Sequence, residues 1–328
     1  MPYNRPWKSF EQQLEILKAR GLAVSDEDAA ISYLQRLGYY RLSGYWYPFR
    51  QLEVTQDSAT GALAAQRQDN FVAHAHFEDA VKLYIFDKLL RQLVLDAVER
   101  IEVAIRVDIA HTLGERDMFA HHNPDELHPN FTRKNKQGRF PHKEWLEKYQ
   151  HLVNRSHEEF VSHYKRNHGA RLPIWVAVEL WDFGATSKFY AGMKVKDKAE
   201  IAAKYGVSDW RVMQSWLRSI NYLRNIAAHH SRLWNRNIVD QPKLPKQGEI
   251  ALFDPFIGKA DLIARPFLLF CILRYLLQTV CPNTRWGERL RDQLMDFPAL
   301  HLDRFGQQDM GCVAGWETWT VWPKNGGQ

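Results

Sequence analysis

Cysteine is scarce: 328 residues hold three, Cys271, Cys281 and Cys312, odd in number and widely spaced. That excludes a disulfide framework and leaves no thiolate pair at zinc spacing. Long hydrophobic runs are missing as well. The most lipophilic stretch, Pro266 to Val280, is too short to span a bilayer and contains Arg274, so it predicts a buried core helix. No apolar run follows the basic residues of MPYNRPWKSFEQQ, as a secretory signal would require. No segment sustains the alternation of a half-buried strand, and nothing repeats at a fixed period. Clustered histidines (His121, His122 and His128; His74 and His76) lack carboxylate or cysteine neighbours at ligand spacing, so neither a metal nor another cofactor is expected. A cytoplasmic protein with no membrane partner is expected.

Aromatics, by contrast, are plentiful at 13%, with 12 Trp in a chain that is 45% hydrophobic, which excludes general disorder. Lys and Arg number 44 against 38 Asp and Glu, a net charge of +6 that identifies no partner by itself. The spacing predicts an all-α protein. Ser9, with Gln12 in a capping box, opens a helix that Gly21 ends; Ser25 opens a second that stops at Gly38. Residues 53–70 read as a polar surface loop. From Phe77 to Leu113 apolar residues recur at helical spacing without Pro or Gly, predicting one long helix or two nearly collinear ones. Further helices are expected at 143–167, 173–192, 196–205, 208–236, 259–280 and 285–296. The expected organisation is an N-terminal helical and aromatic segment (1–60), a helical domain (71–300) and an irregular tail (301–328) lying on the core.

Helix 208–236 carries the chemistry. Ser208 is its expected N-cap. No Asp or Glu falls between Trp210 and Val239, whereas Arg211, Arg218, Arg224, Arg232 and Arg236 do. At about 100° per residue, Trp216, Ile220, Leu223, Ala227 and Trp234 share the side that should face the core. Opposite lie Arg218, Asn221, Tyr222, Asn225, His229, Arg232 and Arg236, with Arg224 flanking. Asn225 stands four residues before His229 and is expected to orient its imidazole; His230 turns toward the apolar side. A histidine can move the proton of a ribose 2′-OH, and a guanidinium can clamp the phosphate and stabilise its developing charge. RNA transesterification therefore fits Arg224 and His229, with Arg218, Tyr222, Arg232 and Arg236 as RNA contacts. Arg–His pairs with four to six residues between them recur at Arg67/His74, Arg106/His111 and Arg116/His121. Of these, Arg106 and His111 form a possible second half-site, and a surface arginine with a helix-end histidine is the alternative. The Tyr39–Arg50 segment could stack bases or anchor helices.

The segment Asn221-Tyr222-Leu223-Arg224-Asn225-Ile226-Ala227-Ala228-His229-His230-Ser231-Arg232-Leu233-Trp234-Asn235-Arg236 resembles the signature of the Abi-like (AbiD/AbiF) abortive-infection family. Lys8–Gln13, Arg20–Leu22 and Gly38-Tyr39-Tyr40-Arg41-Leu42-Ser43-Gly44-Tyr45-Trp46-Tyr47-Pro48-Phe49 are similar to that family's opening. Glu99–Arg106 and Met310-Gly311 also fit. The resemblance implies a HEPN-type helical bundle, in which an Arg-x4–6-His motif marks metal-independent endoribonucleases of bacterial anti-phage defence. It implies Arg224 and His229 as the motif's Arg and His, Asn225 in its polar second place, and a site completed by a second helix, most simply in a homodimer. It also implies a non-coding RNA partner for some members. The alternative is an RNA-binding protein that associates with such an RNA without cutting it.

Overall fold

The computed structural model describes residues 6–56 and 63–322, and within them the chain is mostly α-helical. Three short helices open it: α1 (Phe10–Ala19), α2 (Glu27–Leu37) and α3 (Tyr39–Trp46). Ser9 and Gln12 form the expected capping box on α1. Asp26, rather than Ser25, caps α2: its carboxylate accepts from Ala29 N. The aromatic segment is α3, and it buries Leu42, Tyr45 and Trp46 against the long helix α4 (Phe77–Gly114).

Of residues 53–70, expected to be a loop, 53–56 and 63–70 are strand, and 57–62 lie outside the described residues. β1 (Arg50–Gln56) pairs antiparallel with β2 (Leu63–Phe71). Leu52, Val54 and Leu63 are exposed and Phe71 is buried only at the base, so the strands show no sustained alternation to read. Its base is held by the buried Phe71 and by polar contacts. Asp69 pairs with Arg20 and Arg50, and Phe71 N donates to Arg20 O.

The uninterrupted spacing from Phe77 does give one helix, 38 residues and about 57 Å long. Around it pack α11 (Trp210–Ala228), α13 (Pro266–Val280) and α14 (Trp286–Met295). Between α4 and α11 the chain forms α5 (Pro129–Thr132), α6 (Pro141–Arg155), α7 (Glu159–His168), α8 (Ile174–Ala177), α9 (Phe183–Gly192) and α10 (Val195–Lys204). Three of the expected helices are therefore each broken in two, at 156–158, at 178–182 and at 264–265. A short turn, α12 (Ala260–Ile263), precedes α13. α13 is the core helix its composition predicts, with Phe267 to Leu273 fully buried. Residues 316–322 lie on that core: Trp316 and Trp322 pack against Phe267, and Arg274 Nε donates to Val321 O. Among the described residues no helix is long and apolar enough to cross a membrane.

Candidate functional site

α11 starts at Asp209, whose carboxylate accepts from Arg211 N; Ser208 is not the cap. Its inward face carries Trp216, Ile220 and Leu223, none with exposed surface, and Ala227 at 1%. The helix stops at Ala228, eight residues short of the expected end. His229 closes it, His230 adopts φ +55°, His230 N donates to Ala227 O and Ser231 N donates to Ile226 O. This is the paired carbonyl capping that usually places glycine in the left-handed position. Here a histidine occupies it, so the sequence carries no glycine to announce the end. His230 consequently leaves the helical phase and is exposed, not turned to the apolar side. Trp234 is buried, as expected, but from the following loop.

The loop that follows is tied down from three directions. Buried Asp87 on α4 accepts from Leu233 N at 3.0 Å, from Trp234 N at 2.6 Å, from Tyr45 Oη at 2.7 Å and from the Arg91 guanidinium. Arg41 on α3 donates to His230 O at 2.8 Å. Arg232 reaches back to Gly44 O at 2.5 Å. The two longest stretches of the family-like sequence, Gly38–Phe49 and Asn221–Arg236, thus dock on each other beside His229. Asp87 and Arg91 were not singled out from the sequence, whereas Tyr45 and Arg41 belong to the Tyr39–Arg50 segment read there as stacking bases or anchoring helices. Asp87 gave one signal: it interrupts the Leu83, Leu90, Val94 stripe of α4 with an arginine four residues on, the pattern of a buried pair.

His229 itself is exposed, and among the described residues its ring has no hydrogen-bond or ion-pair partner. Asn225, also exposed, does not orient it; Asn225 Oδ1 accepts from Arg224 Nη1 at 3.4 Å. That long bond is the one side-chain hydrogen bond Arg224 makes among the described residues, leaving most of its five donors open. The segment without acids is not free of them in space. Glu102 of α4 and Asp182, the N-cap of α9, both lie within electrostatic range of Arg224 without forming an ion pair with it. Burial raises the Glu102 carboxyl against the pull of Arg106 and Arg224. Burial acts on Asp182 in the same sense, but Lys148 at 2.7 Å, the Ala185 N–H at 2.6 Å and Arg224 bring its carboxyl below the usual range.

The remaining expected residues divide. Tyr222 and Arg236 come together, Arg236 Nε donating to Tyr222 Oη at 3.2 Å. Arg218 is exposed and faces Asp240 at 3.6 Å, an acid just past the arginine segment. Arg232 has left the stripe to hold Gly44, and burial lowers its pKa. Arg106 is bound by Glu102 and by Trp181 O, whereas His111 is exposed on a different side of α4, lining a cavity of about 520 Å³ with Val107 and Trp175. These two are not brought together. In Arg67/His74 and Arg116/His121 the arginines are likewise engaged, by Pro48 O and Arg50 O and by Glu126 and Asp197. Tyr39 to Arg50 anchors through Tyr45, Trp46 and Phe49, which are buried, while Tyr39 is half-buried and Tyr40 and Tyr47 are exposed.

No match was found among curated proteins or among solved structures. A model of the Abi-like protein family matches residues 32–235, which takes in α3, the long helix, Asp87 and the whole of the Arg224–His229 region. With well over half of its length covered by that match, the chain belongs to the Abi-like protein family.

Proposed function

We propose that this protein is a metal-independent endoribonuclease acting in a bacterial anti-phage abortive-infection system, and that Arg224 and His229 do the chemistry. The family suggests abortive infection. The observation that supports the cleavage reading is the end of α11, where an exposed imidazole without an internal partner follows a guanidinium with most of its donors open. In the reaction the ribose 2′-oxygen attacks the adjacent phosphorus and the bond to the 5′-oxygen breaks. A histidine takes the 2′-OH proton, a proton is delivered to the leaving 5′-oxygen, and the products end in 2′,3′-cyclic phosphate and 5′-OH. Arg224 clamps the non-bridging oxygens, where charge builds in the transition state. Asn225 steadies Arg224, and Tyr222, Arg218 and Arg236 contact the strand.

Five helical residues rotate a side chain by about 140°, so within one chain Arg224 and His229 flank the helix end rather than touch. Two copies packed through α11 would set two such pairs around one phosphate, and a homodimer with a HEPN-type bundle is part of the reading. The test is incubation with RNA in EDTA. Wild type should yield cyclic-phosphate ends, and Arg224→Ala and His229→Ala should abolish them while RNA binding persists. Binding without products in wild type would instead favour a protein that holds a non-coding RNA. Cleavage surviving both substitutions would refute the assignment.

A further inference from the structure

The groove between α9 and α11 leads away from Arg224 to a second feature. The two helices pack antiparallel: Gly184 sits against Asn221, and Lys188 and Ala191 share a cavity with Arg218 and Gln214. That cavity, of about 370 Å³, is also lined by Trp210, Arg211 and Lys243. Lys188 and Lys243 are exposed, and among the described residues neither side chain has an ion-pair partner. Arg211 and Arg218 each face one half-exposed carboxylate, Asp209 and Asp240, at 3.5 and 3.6 Å. Behind the wall lies a fifth cation. Lys198 is buried over the Trp210 ring at 3.8 Å and donates to Ala191 O and Gln214 Oε1. Four lining cations against two carboxylates leave an excess of two positive charges at the cavity, and buried Lys198 adds a third behind its wall. Fixed carbonyl and amide oxygens hold the buried one.

The cavity is in line with the proposed cleavage site. Arg211, Arg218 and Asn225 are spaced by seven residues, so they fall on one line along α11, separated by about 10 Å each. At about 3.4 Å per nucleotide of a stacked strand, these steps correspond to roughly three and six nucleotides. Four cations beside that line, two of them without an ion-pair partner, fit the backbone of a strand whose other end lies at Arg224.

We propose that the cavity between α9 and α11, with Lys188, Lys243, Arg211 and Arg218, is a distal phosphate-binding subsite for single-stranded RNA, engaged about three to six nucleotides from the scissile phosphate. It rests on the RNA reading above and adds which surface the strand follows and how long the strand must be. Mechanistically it supplies remote binding that holds the reacting phosphate in register.

The experiment separates this from cleavage by using the full-length His229→Ala protein in EDTA, where RNA stays intact. Binding of fluorescent oligoribonucleotides of three, six and twelve nucleotides is followed by anisotropy against salt. Affinity should rise with length, and Lys188→Ala/Lys243→Ala should cut the slope of log K against log salt for the twelve-mer by about 1.4, two contacts at about 0.7 each. The gain in affinity from three to twelve nucleotides should shrink in step. The pair Lys259→Ala/Arg285→Ala, two charges outside the cavity lining, should leave the slope at its parent value. An unchanged slope in the cavity variant overturns the proposal. So does an equal loss for all three lengths, and so does full competition by inorganic phosphate at low millimolar concentration, which marks a small-anion site. If wild-type protein cuts no RNA yet the length-dependent slope change appears, the subsite stands and the nuclease reading alone falls.

Discussion

Asp87→Asn is the substitution that most sharply tests how the helix end is held. The Asp87 side chain has no exposed surface and accepts from two backbone N–H groups, a phenol and a guanidinium. Asparagine keeps the shape but loses the charge and replaces one acceptor oxygen with a donor. Some of the four donors then face an NH₂ group. Arg91, itself only 4% exposed, becomes a buried charge without a counterion. Breaking a buried pair from one side costs about 3–5 kcal/mol, and each orphaned buried donor about 1–3. These overlap, so a loss on the order of 4 kcal/mol is expected, a large part of a typical domain's stability. Urea unfolding at pH 7 reads it. Adding Arg91→Met removes the stranded charge and should restore at least about 1 kcal/mol relative to the single variant. If Asp87→Asn unfolds within about 1 kcal/mol of wild type, or Arg91→Met makes it worse by the full single-site amount, the clamp described here is wrong.

His230 is held at φ +55° with an exposed side chain. Relief of about 1–2 kcal/mol of left-handed strain, less about 0.5–1 for glycine's extra unfolded freedom, predicts that His230→Gly raises stability by about 0.5–1 kcal/mol in a urea titration. A loss greater than 1 kcal/mol would show that the imidazole makes contacts this structure lacks. His121 is fully buried, neither ring nitrogen has a partner, and burial together with His122, Arg171 and His142 pushes its pKa down to about 2. Its folded pKa lies below the unfolded value near 6.5, so the unfolded chain binds a proton that the folded chain refuses, and stability falls as pH drops below 6.5. At about 1.4 kcal/mol per pH unit, roughly 2 kcal/mol is lost by pH 5, and His121→Phe should remove that part of the slope. An identical pH profile in the variant would contradict the buried neutral ring. Finally, a single 2′-deoxy substitution at the cleaved nucleotide should abolish cutting there while changing affinity less than twofold; undiminished cutting would exclude the 2′-OH as nucleophile.

Much of the helical framework was legible because helical periodicity is a local property. The 38-residue helix, the capping box at Ser9 and the buried face of α11 follow from spacing alone. What escaped was set by tertiary contacts. The hairpin has exposed faces, so burial never wrote a pattern into it. Ile85 and Leu89 keep helical spacing yet are exposed, while Asp87 takes a buried position because the Leu233 and Trp234 N–H groups need an acceptor there. The end of α11 at Ala228 was hidden because His230 fills a position where glycine would have been a signal. That early end also removes Arg232 and Arg236 from the stripe. The exposed His229 and the open Arg224 were legible from their helical phase, whereas Glu102, Asp182 and Lys148 reach the site from other elements and could not be read from spacing.

What the end of α11 does to RNA is written in the ends of the products. Wild-type protein is incubated with a defined oligoribonucleotide in EDTA and the fragments are weighed by mass spectrometry. The Arg224–His229 account predicts upstream fragments ending in 2′,3′-cyclic phosphate and downstream fragments beginning with 5′-OH. Fragments bearing 3′-OH and 5′-phosphate would contradict it.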